Sequence, residues 1–250
     1  ENQSPGAEFS ISLVLTNGLH VLKVICLNSG GEGVAASIKT FTGEDMPQIP
    51  TEVTAVAEES GKVTLSWTLP EAGINGGWVN LTKVSYDILR NGESLSTDIK
   101  ETTYIDNLPE NELKSYKYTV IVKFGGEECG SVESNSVVFG KAVSLPYEQT
   151  FEDASSFDLL NIIDNNGDGV TWQFDTGQFS AGYTFSADNA ADDYLVLPKM
   201  TFKAYNVYSL SFDICSGSGY NAEIIGVKVG AEPSVETLST IVMEPTEIIP

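Results

Sequence analysis

Cationic side chains are scarce in this 250-residue chain: Lys and Arg number 13 against 35 Asp and Glu, for a formal charge of −22. Arg90 is the single arginine and His20 the single histidine. So acidic a surface repels phosphate backbones and anionic headgroups, which argues against nucleic acid or a membrane surface as partner. With one imidazole, any Ser–His–Asp or Cys–His site would have to be built around His20, which lies in a strand-like run and reads as structural. No G-x-S-x-G, Walker A or dinucleotide fingerprint is present, and Gly217-Ser-Gly219 is too short to cradle phosphate. The chain is expected to be non-catalytic.

Cysteine is equally sparse. Cys26, Cys129 and Cys215 fall one to each part of the chain, which does not build an intramolecular disulfide framework. No C-x-x-C occurs, so zinc is not suggested. Cys26 and Cys215 sit in apolar, strand-like runs and are expected to be small buried residues. No apolar stretch approaches the roughly 18 residues that span a bilayer, so no membrane insertion is expected. The sequence starts at Glu1 without Met, basic n-region or apolar h-region, so a signal peptide is expected to have been removed or never included. Helix signals are also missing: no capping box leads into an i, i+3, i+4, i+7 run, and only a short helix near Ser155–Leu160 is expected. The fold class is all-β.

An internal repeat sets the organisation. His20-Val-Leu-Lys-Val-Ile-Cys-Leu-Asn-Ser-Gly-Gly-Glu-Gly33 recurs about 97 positions later as Lys117-Tyr-Thr-Val-Ile-Val-Lys-Phe-Gly-Gly-Glu-Glu-Cys-Gly130. Each copy reads as two alternating strands around a Gly-rich hairpin, followed by a Pro-containing linker. A period near 100 residues matches one β-sandwich. Residues 46–144 hold a complete copy. Val63–Trp67 alternates, Tyr86–Arg90 runs into Asn91-Gly92, a strong two-residue hairpin signal, and Thr102–Asp106 and Tyr116–Val122 follow. Trp67, Tyr86 and the Tyr118/Val120/Val122 strand face occupy the core positions of a fibronectin type III domain, which residues 47–143 resemble. Residues 1–45 hold only the second half of that pattern and are expected to be the tail of an incomplete sandwich.

Acids are unevenly placed: residues 145–250 carry 3 basic and 16 acidic side chains, nine of them Asp. Short carboxylates in Gly/Asn turns suit hard cations, although acidity also simply keeps a protein soluble. Asp164-x-Asn166-x-Asp168-Gly169 sets oxygen side chains at alternate positions with Gly at the sixth, the first half of a calcium-loop pattern. Asp175 replaces the bidentate Glu at the twelfth position and no helices flank the loop, so an EF-hand is rejected. A calcium-stabilised β-loop and an Asx-turn that satisfies its own backbone both remain open. Strands are expected near 147–151, 169–174, 193–197, 207–214, 222–229 and 238–243.

The stretches L-P-Y-E-Q-T-F-E-D (Leu145–Asp153), D-N-N-G-D-G-V-T-W (Asp164–Trp172), D-D-Y-L-V-L-P (Asp192–Pro198) and Y-S-L-S-F (Tyr208–Phe212) resemble, in order and spacing, the cleaved-adhesin jelly-roll module of bacterial surface proteins. The resemblance covers residues 145–250, where eight strands are wanted and six are visible, so the jelly roll is expected to be truncated. It implies tandem sandwiches displayed outside the cell, with structural calcium and a host glycan or extracellular protein as partner. It also implies that Glu152, after the first strand, joins loop acids such as Asp193 around calcium. The expected ligand set is therefore Glu152, Asp164, Asn166, Asp168 and Asp193. The adjacent Asp192 and Asp193 could equally decorate a solvated strand start. Exposed rings commonly serve binding, and Trp78, Tyr183 and Tyr220 are the candidates, while Trp172 is expected to be core. The expected function is an adhesin-like binding protein that works with other domains of a larger chain. The alternative is an accessory region of a larger secreted peptidase or glycoside hydrolase.

Overall fold

The computed structural model describes residues 8, 10–186, 188–216 and 222–249, and the fold among them is all-β, with antiparallel sheets, one short α-helix and a 3-10 turn at Leu81–Lys83. The chain divides into two compact units. One holds residues 1–56, 63–106 and 117–136; the other holds residues 57–62, 107–116 and 137–250.

The first unit opens on a hairpin of β1 (Gly18–Val24) and β4 (Ala36–Thr42), whose tip carries β2 (Leu27–Asn28) and β3 (Gly31–Glu32). A sandwich follows. Its three-stranded sheet orders β5 (Val53–Ala57), β6 (Lys62–Trp67) and β9 (Thr103–Asn107). Its four-stranded sheet runs β12–β11–β7–β8, built from β12 (Glu127–Glu133), β11 (Tyr118–Phe124), β7 (Val84–Arg90) and β8 (Glu93–Ile99). Period-two alternation places Val63, Leu65 and Trp67 of one sheet against Tyr86, Ile88, Tyr118, Val120 and Val122 of the other, all buried. Trp67 and Tyr86 meet edge to face at 5.2 Å. Asn91 and Gly92 both take positive φ between β7 and β8, as the sequence predicts. Arg90 donates to Asp106 Oδ2 at 2.8 Å and the Tyr118 hydroxyl donates to the same oxygen at 2.8 Å, tying the two sheets through polar groups. The Asn135 side chain acts as a strand residue beside β5, donating to the Ala55 carbonyl at 2.9 Å and accepting the Ala55 N–H at 2.8 Å.

In the second unit, β10 (Lys114–Tyr116) pairs with β13 (Val137–Phe139). The expected single strand Tyr116–Val122 is therefore divided at Lys117, and Tyr116 belongs to a different sheet from Tyr118. The helix α1 (Ala154–Phe157) starts at Asp153, whose carboxylate accepts the Ser156 N–H at 2.8 Å. Three antiparallel pairs complete this unit: β14 (Asn161–Asp164) with β17 (Asp193–Val196), β15 (Gln173–Asp175) with β16 (Ser180–Gly182), and β18 (Glu223–Val229) with β19 (Thr240–Ile248). Phe157 and Leu160 are buried, and Phe157 packs against Phe151 and Phe174.

Several expectations are corrected. No strand forms at 147–151 or 207–214. Tyr208, Leu210 and Phe212 alternate correctly but are exposed, because no described strand pairs with them. Residues 145–250, where a truncated jelly roll is expected, give two-stranded sheets only among the described residues. Cys26 and Cys215 are exposed, not buried, since neither lies under a second layer. Trp172 is half-buried.

Candidate functional site

The register of β14 on β17 sets Asp164 directly opposite Asp193. From Asp164 the chain enters the Asn165–Val170 loop, with Gly167 and Gly169 at positive φ. Asp164 organises that loop: Oδ1 accepts the Gly167 N–H at 2.7 Å and the Asp168 N–H at 3.2 Å, and Oδ2 accepts the Gly169 N–H at 2.8 Å. Asn166 accepts the Asp168 N–H at 3.2 Å through Oδ1 and donates through Nδ2 to the Ala190 carbonyl at 2.9 Å. Both residues thus spend oxygens on backbone groups, as an Asx-turn does.

Two other carboxylates behave differently. Asp168 Oδ1 accepts the Val170 N–H at 2.8 Å, while its Oδ2 is buried with no donor. Asp193 Oδ2 accepts the Tyr183 hydroxyl at 3.0 Å and the Asp192 N–H at 3.2 Å, while its Oδ1 is buried with no donor. Tyr183 marks how closely these charges gather. Burial first, then the hydrogen bond to Asp193 and the charges of Asp193, Asp168 and Asp164, push its hydroxyl up to about 12. The other side of the Tyr183 ring arrangement is Trp172, at 5.7 Å between centroids.

Of the five expected ligands, the structure gathers Asp164, Asp168 and Asp193 around Tyr183, keeps Asn166 as a loop brace, and leaves Glu152 exposed on the segment before α1, with no described contact to the others. Among the described residues no three Asp, Glu, His or Cys side chains converge as a ready-made metal cage. The two orphan oxygens are the feature that fits a cation. A buried carboxylate oxygen without a donor is costly, and a hard ion is the partner that removes the cost.

Trp78 is 64% exposed and sits on a loop whose backbone is held by Asp45, a residue the sequence reading did not single out. Asp45 is 3% exposed. Its carboxylate accepts N–H groups from Met46 at 2.9 Å, Asn75 at 2.8 Å and Gly77 at 3.1 Å, and the Asn75 side-chain amide at 3.0 Å. Burial opposes the charge, but these four hydrogen bonds outweigh it and hold the carboxyl below its ordinary range. A Cβ on Gly73 or Gly77 would overlap the Asp45 side chain, so the approach requires glycine at both. The Asp45 N–H donates to the Trp78 carbonyl at 2.7 Å, and the Ile74 N–H donates to the Met46 carbonyl at 2.9 Å. The signal in the sequence was the Gly73-Ile-Asn-Gly-Gly77 run, which can wrap a short carboxylate, but only the fold supplies the carboxylate from residue 45. Tyr220 lies outside the described residues.

No helix among the described residues is long and apolar enough to cross a membrane. No protein-family model and no curated protein matches the sequence. Among solved structures, the chain is similar to the rat CD45 extracellular region, domains d3–d4, with a TM-score of 0.31 and 11% identity over 55% of this chain and 73% of that one. It is also similar to the chicken CNTN1 FN1–FN3 domains, with a TM-score of 0.27 and 13% identity over 50% of this chain and 46% of that one. The chain thus spans less than half the length of the CNTN1 fragment. Both are distant likenesses to tandem fibronectin type III-like domains.

Proposed function

We propose that the chain is a non-catalytic, adhesin-like binding protein displayed outside the cell, in which calcium stiffens the Asp164–Val170 loop. Its partner is a host glycan or an extracellular protein, and it works with other domains of a larger chain. The observation that carries this reading is the pair of buried, donorless oxygens on Asp168 and Asp193 beside the Tyr183 hydroxyl. Those two carboxylates would hold the ion. Calcium takes six to eight oxygens in flexible geometry, so carbonyls and waters can complete the shell where no cage of side chains is formed. Bound calcium supplies charge neutralisation and rigidity; Asp164 and Asn166 meanwhile shape the loop through its backbone. Trp78, exposed on a loop fixed by Asp45, supports a recognition role, since an ordered ring loses little entropy on binding.

The test is thermal unfolding of the full chain in calcium, in magnesium and in EDTA, beside the Asp168→Asn/Asp193→Asn double variant. Calcium at about a hundred times its Kd stabilises by about 2.7 kcal/mol, so chelation should lower the midpoint visibly, with magnesium a poor substitute. The double variant should lose the calcium response. Identical melts in calcium and EDTA would overturn the calcium reading.

A further inference from the structure

The outer face of the four-stranded sheet carries a pocket of about 550 Å³, lined by residues of β7, β8 and β11, by Thr82 and Lys83 before β7, by Lys100 after β8 and by the Gly125-Gly126 turn. That size lies within the range of small-ligand sites. Outward positions of an exposed sheet are normally solvated, yet Ser85 is 3% and Asp87 9% exposed. They are covered by long polar side chains. Lys123 Nζ lies 2.5 Å from Asp87 Oδ2, and Lys100 Nζ donates to the Val84 carbonyl at 3.1 Å and lies 3.3 Å from Asp98 Oδ1.

Two irregularities of the sheet meet at this pocket. Tyr86 pairs with Ile99 but Ile88 pairs with Ser96, so Thr97 and Asp98 together face Asp87 in a β-bulge. Asp98 takes φ +55 there, and its N–H donates to Asp87 Oδ1 at 2.9 Å. On the other side, Val122 pairs with Gly130 but Lys123 pairs with Glu128, a second bulge beside Lys123. Bulges re-aim side chains, and here both re-aim charged ones into one hollow.

The hollow gathers lysines on a chain that has few of them, each beside a carboxylate. Three of the chain's 13 basic residues, Lys83, Lys100 and Lys123, line it with two acids, Asp87 and Asp98. Lys83 is itself paired with Glu44 outside the lining, at 2.6 Å. An ammonium carries three N–H donors. The contacts just described take one on Lys83, two on Lys100 and one on Lys123, so donors remain for a ligand. The hydroxyls of Thr82 and Thr97 add further polar lining, while that of Ser85 is engaged by Asp98.

We propose that this pocket binds an acidic sugar unit, a hydroxylated ring bearing a carboxylate or a sulfate, with the lysine ammoniums on the anion and the hydroxyls on the ring. The proposal does not depend on calcium or on the Asp164 loop, and the sandwich that holds the pocket is a separate part of the chain.

The experiment is an NMR titration of the full chain in EDTA with glucuronate, galactose 6-sulfate and neutral glucose, following backbone amides. Saturable shifts are expected at Ser85, Asp98, Lys100, Gly125 and Gly126 with at least one acidic sugar and not with glucose at the same concentration. A response to glucuronate alone identifies the carboxylate, and one to the sulfate alone identifies the sulfate ester. Lys100 is about half exposed, so Lys100→Gln should keep the fold while weakening binding roughly 5- to 10-fold, the size of one charge-assisted contact of about 1–1.4 kcal/mol. Thr97→Glu, at the exposed lip, should abolish it by repulsion. Equal shifts with glucose, no saturable shift with any sugar, or binding unaffected by both variants would overturn the proposal.

Discussion

The same hairpin occurs twice in this protein with opposite fates. In β11–β12 a two-residue Gly125-Gly126 turn joins Phe124 to Glu127, and the register slips by one residue just below it. In the first hairpin Ser29-Gly30 joins Asn28 to Gly31, and the pairing again slips by one between Val24–Ala36 and Leu27–Glu32. Aligning the turns matches Leu22, Val24 and Cys26 to Tyr118, Val120 and Val122. The second set is completely buried, whereas Val24 is 70% exposed and Cys26 is exposed. The difference lies outside the hairpin. β11 has β7 on its other edge and the β5–β6–β9 sheet across its face; β1 has β4 alone among the described residues. Turn chemistry and alternation set pairing, while a second layer decides whether the apolar face stabilises anything.

That contrast is sharpest for Tyr118. Tyr118→Ala removes a wholly buried ring and its hydrogen bond to Asp106, and should cost about 3–5 kcal/mol of stability by denaturant unfolding. The matched Leu22→Ala should cost under about 1 kcal/mol, as a side chain with only one strand beside it does. Equal losses would show that the first hairpin has a covering layer too. A smaller effect, about 1–3 kcal/mol, is expected for Asp45→Ala, which leaves the N–H groups of Asn75 and Gly77 without their acceptor. Amide exchange should rise across 73–78 and leave β11 protected; unchanged exchange there would argue against Asp45 as the clamp.

The smallest effect is the acid response. Asp45 and Asp87 both titrate below their ordinary range when folded, in each case because hydrogen bonds, joined for Asp87 by the Lys123 charge, outweigh burial. An unfolded aspartate titrates near 3.9. Their contribution is therefore complete above that value and is lost as pH falls through the lower folded values. Lys123, raised chiefly by its hydrogen bond to Asp87, contributes fully below about pH 10.4 and loses that contribution as pH rises through its folded value. These three contributions should be constant between these limits, and those of Asp45 and Asp87 should fall at low pH. In Asp45→Asn the acid-side fall should be shallower, which chemical denaturation from pH 2 to 6 would measure.

Much of the fold is legible along the chain where local chemistry and packing agree. Asn91-Gly92 names a turn, and Val63, Leu65, Trp67, Tyr86 and Val120 alternate with the correct face inward. The pattern misleads where alternation finds no partner strand, as at Tyr208–Phe212, and where one apolar run serves two sheets, as at Tyr116 and Tyr118. β14 was not anticipated because Asn161-Ile-Ile-Asp164 is too short to show a period. The candidate metal loop was half legible. Its alternating oxygens are visible in order, but which oxygens are consumed by backbone N–H groups and which remain open depends on how the loop curls against β17.

By itself, the sequence determined the strand-rich character, the hairpin turns and the concentration of aspartate beyond residue 145, because each of these follows from side-chain type at short range. Only the tertiary structure decided that Asp45 would be buried in the 73–77 loop, that Asp193 would face Asp164, and that Lys83, Lys100 and Lys123 would share a hollow on an acidic protein. Those meetings join residues tens of positions apart, and a distance in space between such residues is set by sheet register and layer packing, which no local pattern encodes.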